Sequence, residues 1–130
     1  MEARLIERPT SRIVHVSSVD TPVRSRQDAL DIMLGHGHRD LDGIAIDAAC
    51  LHPDFLVLRT GVAGELLQMF VNYHLLLAIV GDFSEVRAGA LHDFIVESNR
   101  GRQVFFVADL DAAIARLEAA IARLEAALAA

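Results

Sequence analysis

Residues 60–81 read TGVAGELLQMFVNYHLLLAIVG, and the change of hydrophobic period inside them sets the fold. At 100° per residue, Val62, Leu66, Met69, Phe70 and Tyr73 fall on one face, the pattern of an amphipathic helix packed on a sheet. Gly61, Glu65, Gln68 and Asn72 form a second, polar stripe. After His74 the chain becomes uniformly apolar, as expected of a short strand buried on both faces. Thr60 is placed to cap the helix. Gly61 and Gly64 weaken a helix, but near its first turn they let another backbone or an anion approach the free N–H groups.

Outward from this pair the same alternation repeats. On the N-terminal side, ARLIERPTSRIVHVSS reads as two strands joined by a turn at residues 9–11. RSRQDALDIMLGHG then predicts a helix with Ala29, Leu30, Met33 and Leu34 inward, stopped by Gly35 or Gly37. GIAIDAACL reads as a buried strand. On the C-terminal side, AGALHDFIVESNRG predicts a helix with Leu91, Phe94 and Ile95 inward, ended by Asn99 or Gly101 in a left-handed conformation. QVFFVAD is the last strand, and Asp109 caps a long terminal helix. The expected order is β-β-α-β-α-β-α-β-α, an α/β domain with a mainly parallel sheet and right-handed crossovers. The expected boundaries are a domain over residues 1–110 and a helix continuing from it over residues 111–130.

In such a sheet the strand-to-helix loops collect at the carboxyl edge, where ligands or partners meet the protein. Those loops hold Ser17, Ser18 and Asp20, then Arg59 and Thr60, then Gly81, Asp82 and Ser84, then Asp109. Asp82 and Ser84 would hold a ligand there or cap the next helix.

The terminal helix carries AAIARLE twice in succession, at residues 112–118 and 119–125. Leu110, Ile114, Leu117, Ile121, Leu124 and Leu128 alternate four and three apart, a heptad seam. Its first half is expected to cover the sheet. Its second half should outrun the sheet, because residues 109–128 span about 30 Å at 1.5 Å per residue. Ile114, Leu117, Ile121, Leu124 and Leu128 are therefore the candidate dimerisation residues of a homodimer.

Composition narrows the function. Twelve basic and eighteen acidic residues give a net charge of −6, which disfavours nucleic acid. All the basic residues other than histidine are arginine, so lysine Schiff-base chemistry and the lysine-bearing phosphate loop are excluded. Cys50 is the single cysteine, expected to be a buried inert thiol, and it allows neither an internal disulfide nor a multi-cysteine zinc site. His36 and His38, with His52 and Asp54 further on, show no convergence on a metal and read as turn residues. No cofactor is implied. No membrane-length apolar run or signal-peptide core is present, so a cytoplasmic location is expected.

The run FLVLRTGVAGELLQMFVNYHLLLAIVGDFS, followed by LHDFIVESNRG, resembles the bacterial domain-of-unknown-function family 4180 over most of the chain. That resemblance brings no assigned activity. The element order is also similar to that of STAS domains, the fold of anti-sigma-factor antagonists. In those proteins a switch serine in a motif like DSSGLG opens the helix after the third strand. RTGVAG aligns with it, which implies Thr60 at the phosphoacceptor position and Gly61 at the following glycine. Arg59 stands where the motif has its acidic-serine lead-in. The expected function is a non-catalytic regulatory module that binds a protein partner through Arg59, Thr60, Gly61, Gly64, Glu65, Gln68 and Asn72, flanked by Asp82 and Ser84. The alternative is a small-molecule, anion-binding protein or enzyme using the same edge.

Overall fold

A computed structural model describes residues 1–35 and 40–129. Five strands form one mixed sheet in the spatial order β1-β2-β3-β4-β5. They are β1 (Glu2–Arg8), β2 (Ser11–Ser18), β3 (Gly43–Asp47), β4 (Leu76–Val80) and β5 (Val104–Val107). β1 pairs antiparallel with β2, and the remaining neighbours are parallel. The helices α1 (Arg26–Leu34), α2 (Val62–Asn72), α3 (Gly89–Arg100) and α4 (Leu110–Ala129) alternate with the parallel strands. Each parallel pairing needs a crossover that carries the chain back to the starting edge, and a helix supplies it. No helix among the described residues is long and apolar enough to cross a membrane.

The period-2 alternation of the strands divides the core into two layers. Val14, Val16, Ile44, Ile46, Leu77, Ile79, Val104 and Phe106 point to one face, where they join buried residues of α1 and α2. α3 reaches the same layer through the half-buried Phe94 and Ile95, and Leu91 is also half-buried. Ile13, Ala45, Leu76, Ala78 and Phe105 point to the other face, which α4 covers with Ala113, Leu117, Ala120 and Ile121. Burying a Leu or Ile side chain contributes roughly 1.5–3 kcal/mol. Ile114, Leu117 and Ile121 are 8%, 0% and 6% exposed, so their gross contribution approaches the whole net stability of an ordinary domain. α4 is part of the core.

Gly43 in β3 permits that docking. A Cβ at this position would lie 3.1 Å from the Leu76 carbonyl oxygen and 3.4 Å from Leu117 Cδ2. A side chain there would crowd the β4 backbone and press on Leu117.

Several expected details change. Leu34 is 64% exposed, and Ile32 takes its place with Ala29 and Met33. The face i, i+3, i+4 that begins at Ala29 rotates Leu34 away. Tyr73 is 48% exposed because α2 ends at Asn72 and Tyr73 is its C-cap. α2 is preceded by Gly61 rather than Thr60 at the N-cap, with Thr60 closing a short 3-10 turn, Leu58–Thr60. α3 ends at Gly101 with φ −83° and ψ −161°, an extended conformation, so no left-handed cap is used. Asp109 does accept from the Ala112 N–H at 2.8 Å at the start of α4.

Asn99, inside the last turn of α3, has a different task. Its amide donates to the Phe106 carbonyl at 3.2 Å, and its oxygen accepts the Phe106 N–H at 2.7 Å. β5 is an edge strand, and Asn99 satisfies backbone groups that would otherwise offer a template to another strand. The other edge, β1, carries Glu2, Arg4, Glu7 and Arg8, charges that discourage edge-to-edge pairing.

Candidate functional site

The carboxyl ends of β2, β3 and β4 lead into the loops where the expected site residues lie. After β3 the chain does not enter α2 directly. It passes through three 3-10 turns, Ala48–Cys50, Pro53–Leu56 and Leu58–Thr60. The segment is fastened to the β2–α1 loop by backbone bonds from Val23 N–H to the Cys50 carbonyl (2.8 Å) and from His52 N–H to the Val23 carbonyl (2.9 Å). Arg24 adds an ion pair to Asp54 at 3.2 Å. Phe55, 1% exposed, pins the middle turn to the core. The start of α2 therefore rests on an anchored platform.

Thr60 is exposed, and its hydroxyl is engaged. It lies 2.7 Å from the Asp54 carbonyl oxygen and 2.8 Å from that of Val57, to which it donates, and it accepts the Val62 N–H at 3.3 Å. It caps by side chain from one residue before the N-cap. Gly61 has φ +79° and carries the turn into the helix, a conformation that costs other residues about 1–2 kcal/mol. Gly64 has no such duty. It lies in the first turn of α2, and a Cβ added there would meet nothing within 4 Å.

Glu65, Gln68 and Asn72 are exposed along α2, with Gly61 and Gly64 at the start of the same surface. Gln68 donates to Asn72 Oδ1 at 2.8 Å, so the stripe is ordered as a pair one turn apart. Arg59 is exposed in the preceding turn. Asp82 and Ser84 belong to a separate turn after β4, where Asp82 Oδ1 accepts the Ser84 N–H at 3.0 Å. Bonding from the Ser84 side chain and backbone holds the Asp82 carboxyl below the usual carboxylate range. This pair does not cap α3, whose N-cap is Ala88 with no side-chain bond. Among the described residues no hydrogen bond or ion pair joins Asp82 or Ser84 to the α2 surface.

The candidate dimerisation residues divide. Ile114, Leu117 and Ile121 are buried inside the chain, and only Leu124 (44%) and Leu128 (87%) are exposed. A second copy would find two leucines, not five seam residues. The heptad pattern serves the sheet first because the sheet is always present at contact distance.

Cys50 is 2% exposed, and burial, with the nearby Asp47 carboxylate, pushes its thiol pKa up. It is not a nucleophile in this state. No group of three or more His, Cys, Asp or Glu side chains able to hold a metal occurs among the described residues. His36 and His38 lie outside them.

Sequence reasoning missed one polar pair. His15 Nε2 lies 2.8 Å from Asp47 Oδ1, with side chains 17% and 33% exposed. The parallel register sets His15 against Ala45, two residues before Asp47 on the same face of β3. Only that register, invisible in one sequence, brings the two together. The pair ties the carboxyl ends of β2 and β3, and among the described residues no bond links the other imidazole nitrogen to a nucleophile.

A cavity of about 590 Å³ lies beside α1, lined by Met1, Val19, Asp20, Leu30, Asp31 and Leu34 among others. It includes no residue of the α2 surface or of the Asp82 turn.

The family model described as Domain of unknown function (DUF4180) matches residues 8–117. That span runs from the end of β1 to the middle of α4 and contains the whole α2 surface. Neither a curated protein nor a solved structure matches the chain.

Proposed function

We propose that this chain, which belongs to the DUF4180 family, is a non-catalytic interaction module that docks a protein partner on the exposed face of α2. Gly64 carries the proposal. A glycine in a helix costs up to about 1 kcal/mol relative to alanine, and here nothing inside the chain requires it, since the space over it is open. A close backbone or side-chain approach by a partner would require it. Glu65 and the Gln68–Asn72 pair beside it supply the polar specificity. The anchored 3-10 platform presents the helix start in one position, which lowers the ordering cost of binding.

The order of the elements supports a STAS-like reading. The Thr60 hydroxyl weighs against a phosphorylation switch there, because esterification would remove its donor bond to the Asp54 and Val57 carbonyls. Docking at α2 needs no modification of Thr60.

The test is capture from lysate of the cells that encode the protein, with wild type, Glu65→Arg and Arg26→Glu as baits. Arg26 is exposed on α1 and is not one of the residues of the α2 surface. A partner kept by wild type and Arg26→Glu but lost with Glu65→Arg is the expected result. Equal capture by all three baits would sink the α2 assignment.

A further inference from the structure

At the amino edge of the sheet, the end of α3 meets the middle of α4. A cavity of about 360 Å³ lies between them, and Arg100, Arg116 and Arg123 line it with Asn99, Ala119 and Ala120. These arginines are separated in sequence and come from two helices, yet they open on one space. In a chain of net charge −6, that concentration of positive charge runs against the sign of the whole.

Three arginines are matched by carboxylates, Arg8 to Glu118 at 2.9 Å, Arg12 to Glu7 at 3.6 Å and Arg24 to Asp54 at 3.2 Å. Other arginines without an ion pair among the described residues, such as Arg4, Arg26 and Arg59, do not line this cavity. Among the described residues, Arg100, Arg116 and Arg123 have no such ion pair. The α3 C-terminus does offer them negative charge, equivalent to about −0.5, and Arg116 donates to the Asn99 carbonyl there. Three guanidinium groups thus share one partly negative helix end, and the cavity they line is positive in sign.

Arg116 is also fixed from below. Its guanidinium carbon lies 4.5 Å from the centroid of the Phe105 ring, a cation–π contact that limits its freedom. Phe105 is 3% exposed, so its ring is not open for a base to stack on. Ala119 and Ala120 place only methyl groups at the wall, which leaves room between Arg116 and Arg123, two helical turns apart on α4. The cavity is at the small end of the roughly 300–1,000 Å³ range of ligand sites. Planar guanidinium forks match phosphate oxygens in pairs.

We propose that the groove between the end of α3 and the middle of α4 binds a small phosphorylated metabolite, with Arg100, Arg116 and Arg123 clamping its phosphate monoester. The site is independent of the α2 surface. Its recognition is of charge and fork geometry, so the remainder of the ligand is small, polar and non-aromatic.

Isothermal titration of the full chain with glucose 6-phosphate, inorganic phosphate and glucose tests this at 150 mM salt. Saturable binding of one glucose 6-phosphate per chain, none of glucose, and weakening of about tenfold or more in each of Arg100→Gln and Arg123→Gln is the expected result. Both substitutions are at exposed side chains, and thermal melts confirm that the variants remain folded. Tighter binding of glucose 6-phosphate than of inorganic phosphate marks a metabolite site. Binding of inorganic phosphate alone overturns the metabolite assignment. No saturable binding of any phosphate probe, or binding that both variants retain, overturns the site.

Discussion

Gly61 and Gly64 lie three residues apart at the start of α2, and replacing each with alanine should move stability in opposite directions. Neither alanine Cβ would meet another atom within 4 Å, so packing drops out and backbone preference alone decides. Gly64 is helical, and alanine there gains roughly 0.5–1 kcal/mol from reduced unfolded-state entropy and better propensity. Gly61 has φ +79°, and alanine there costs about 1–2 kcal/mol. With an unfolding entropy near 2.1 cal/mol/K per residue and 130 residues, 1 kcal/mol corresponds to about 4 °C in Tm. Thermal melts followed by circular dichroism should show Gly64→Ala about 2–4 °C above wild type and Gly61→Ala about 4–7 °C below it. A lowered Tm for Gly64→Ala would refute the reasoning, since it would mean that Gly64 already serves the fold. A stabilised Gly64→Ala that no longer captures a partner would mark a glycine kept for contact at a cost in stability.

Three further outcomes follow from the packing and charges. Leu117→Ala should destabilise by about 3–5 kcal/mol in urea melts, as expected for a fully buried leucine, while truncation after Arg123 should leave Tm within about 2 °C because Ile121 is the last buried side chain of α4. Asn99→Ala should cost about 1–3 kcal/mol by stranding the Phe106 backbone groups, and hydrogen exchange at the Phe106 amide should accelerate. Bonds from the Ser25 and Arg24 N–H groups hold the Asp28 carboxyl below the ordinary value. Its folded pKa is depressed, so its stabilisation is full above the unfolded value of about 3.9 and is lost as pH falls through the folded value. The gap in stability between wild type and Asp28→Asn should therefore be widest near neutral pH and shrink as pH falls below the unfolded value of about 3.9.

The parts of the fold that were readable from sequence are those whose surroundings leave one interpretation. The LLAIV run of β4 is buried on both faces and has no polar residue to assign a side, and the apolar stripe of α2 has one sheet to meet. The heptads of α4 had two interpretations, because a stripe four and three apart suits a sheet face as well as a second helix. The structure gives Leu117 and Ile121 to the sheet, buries Ile114 as well, and leaves Leu124 and Leu128 exposed. Asn99 looked like a helix terminator because its partner, the outer edge of Phe106, exists only once β5 is known to be the edge strand. His15 with Asp47 depends on register in the same way, and the Arg100, Arg116 and Arg123 groove on α4 returning past the end of α3. The exposed stripe of Glu65, Gln68 and Asn72 was legible because local helical geometry alone determines it.

The most direct measurement places a photo-crosslinking amino acid at Gln68 and, separately, at Arg26, and irradiates each variant in the cells that encode the protein. Docking on α2 predicts a discrete crosslinked protein from Gln68 alone, abolished when Glu65→Arg is added. The same crosslinked species from both positions, or none from Gln68, would contradict it.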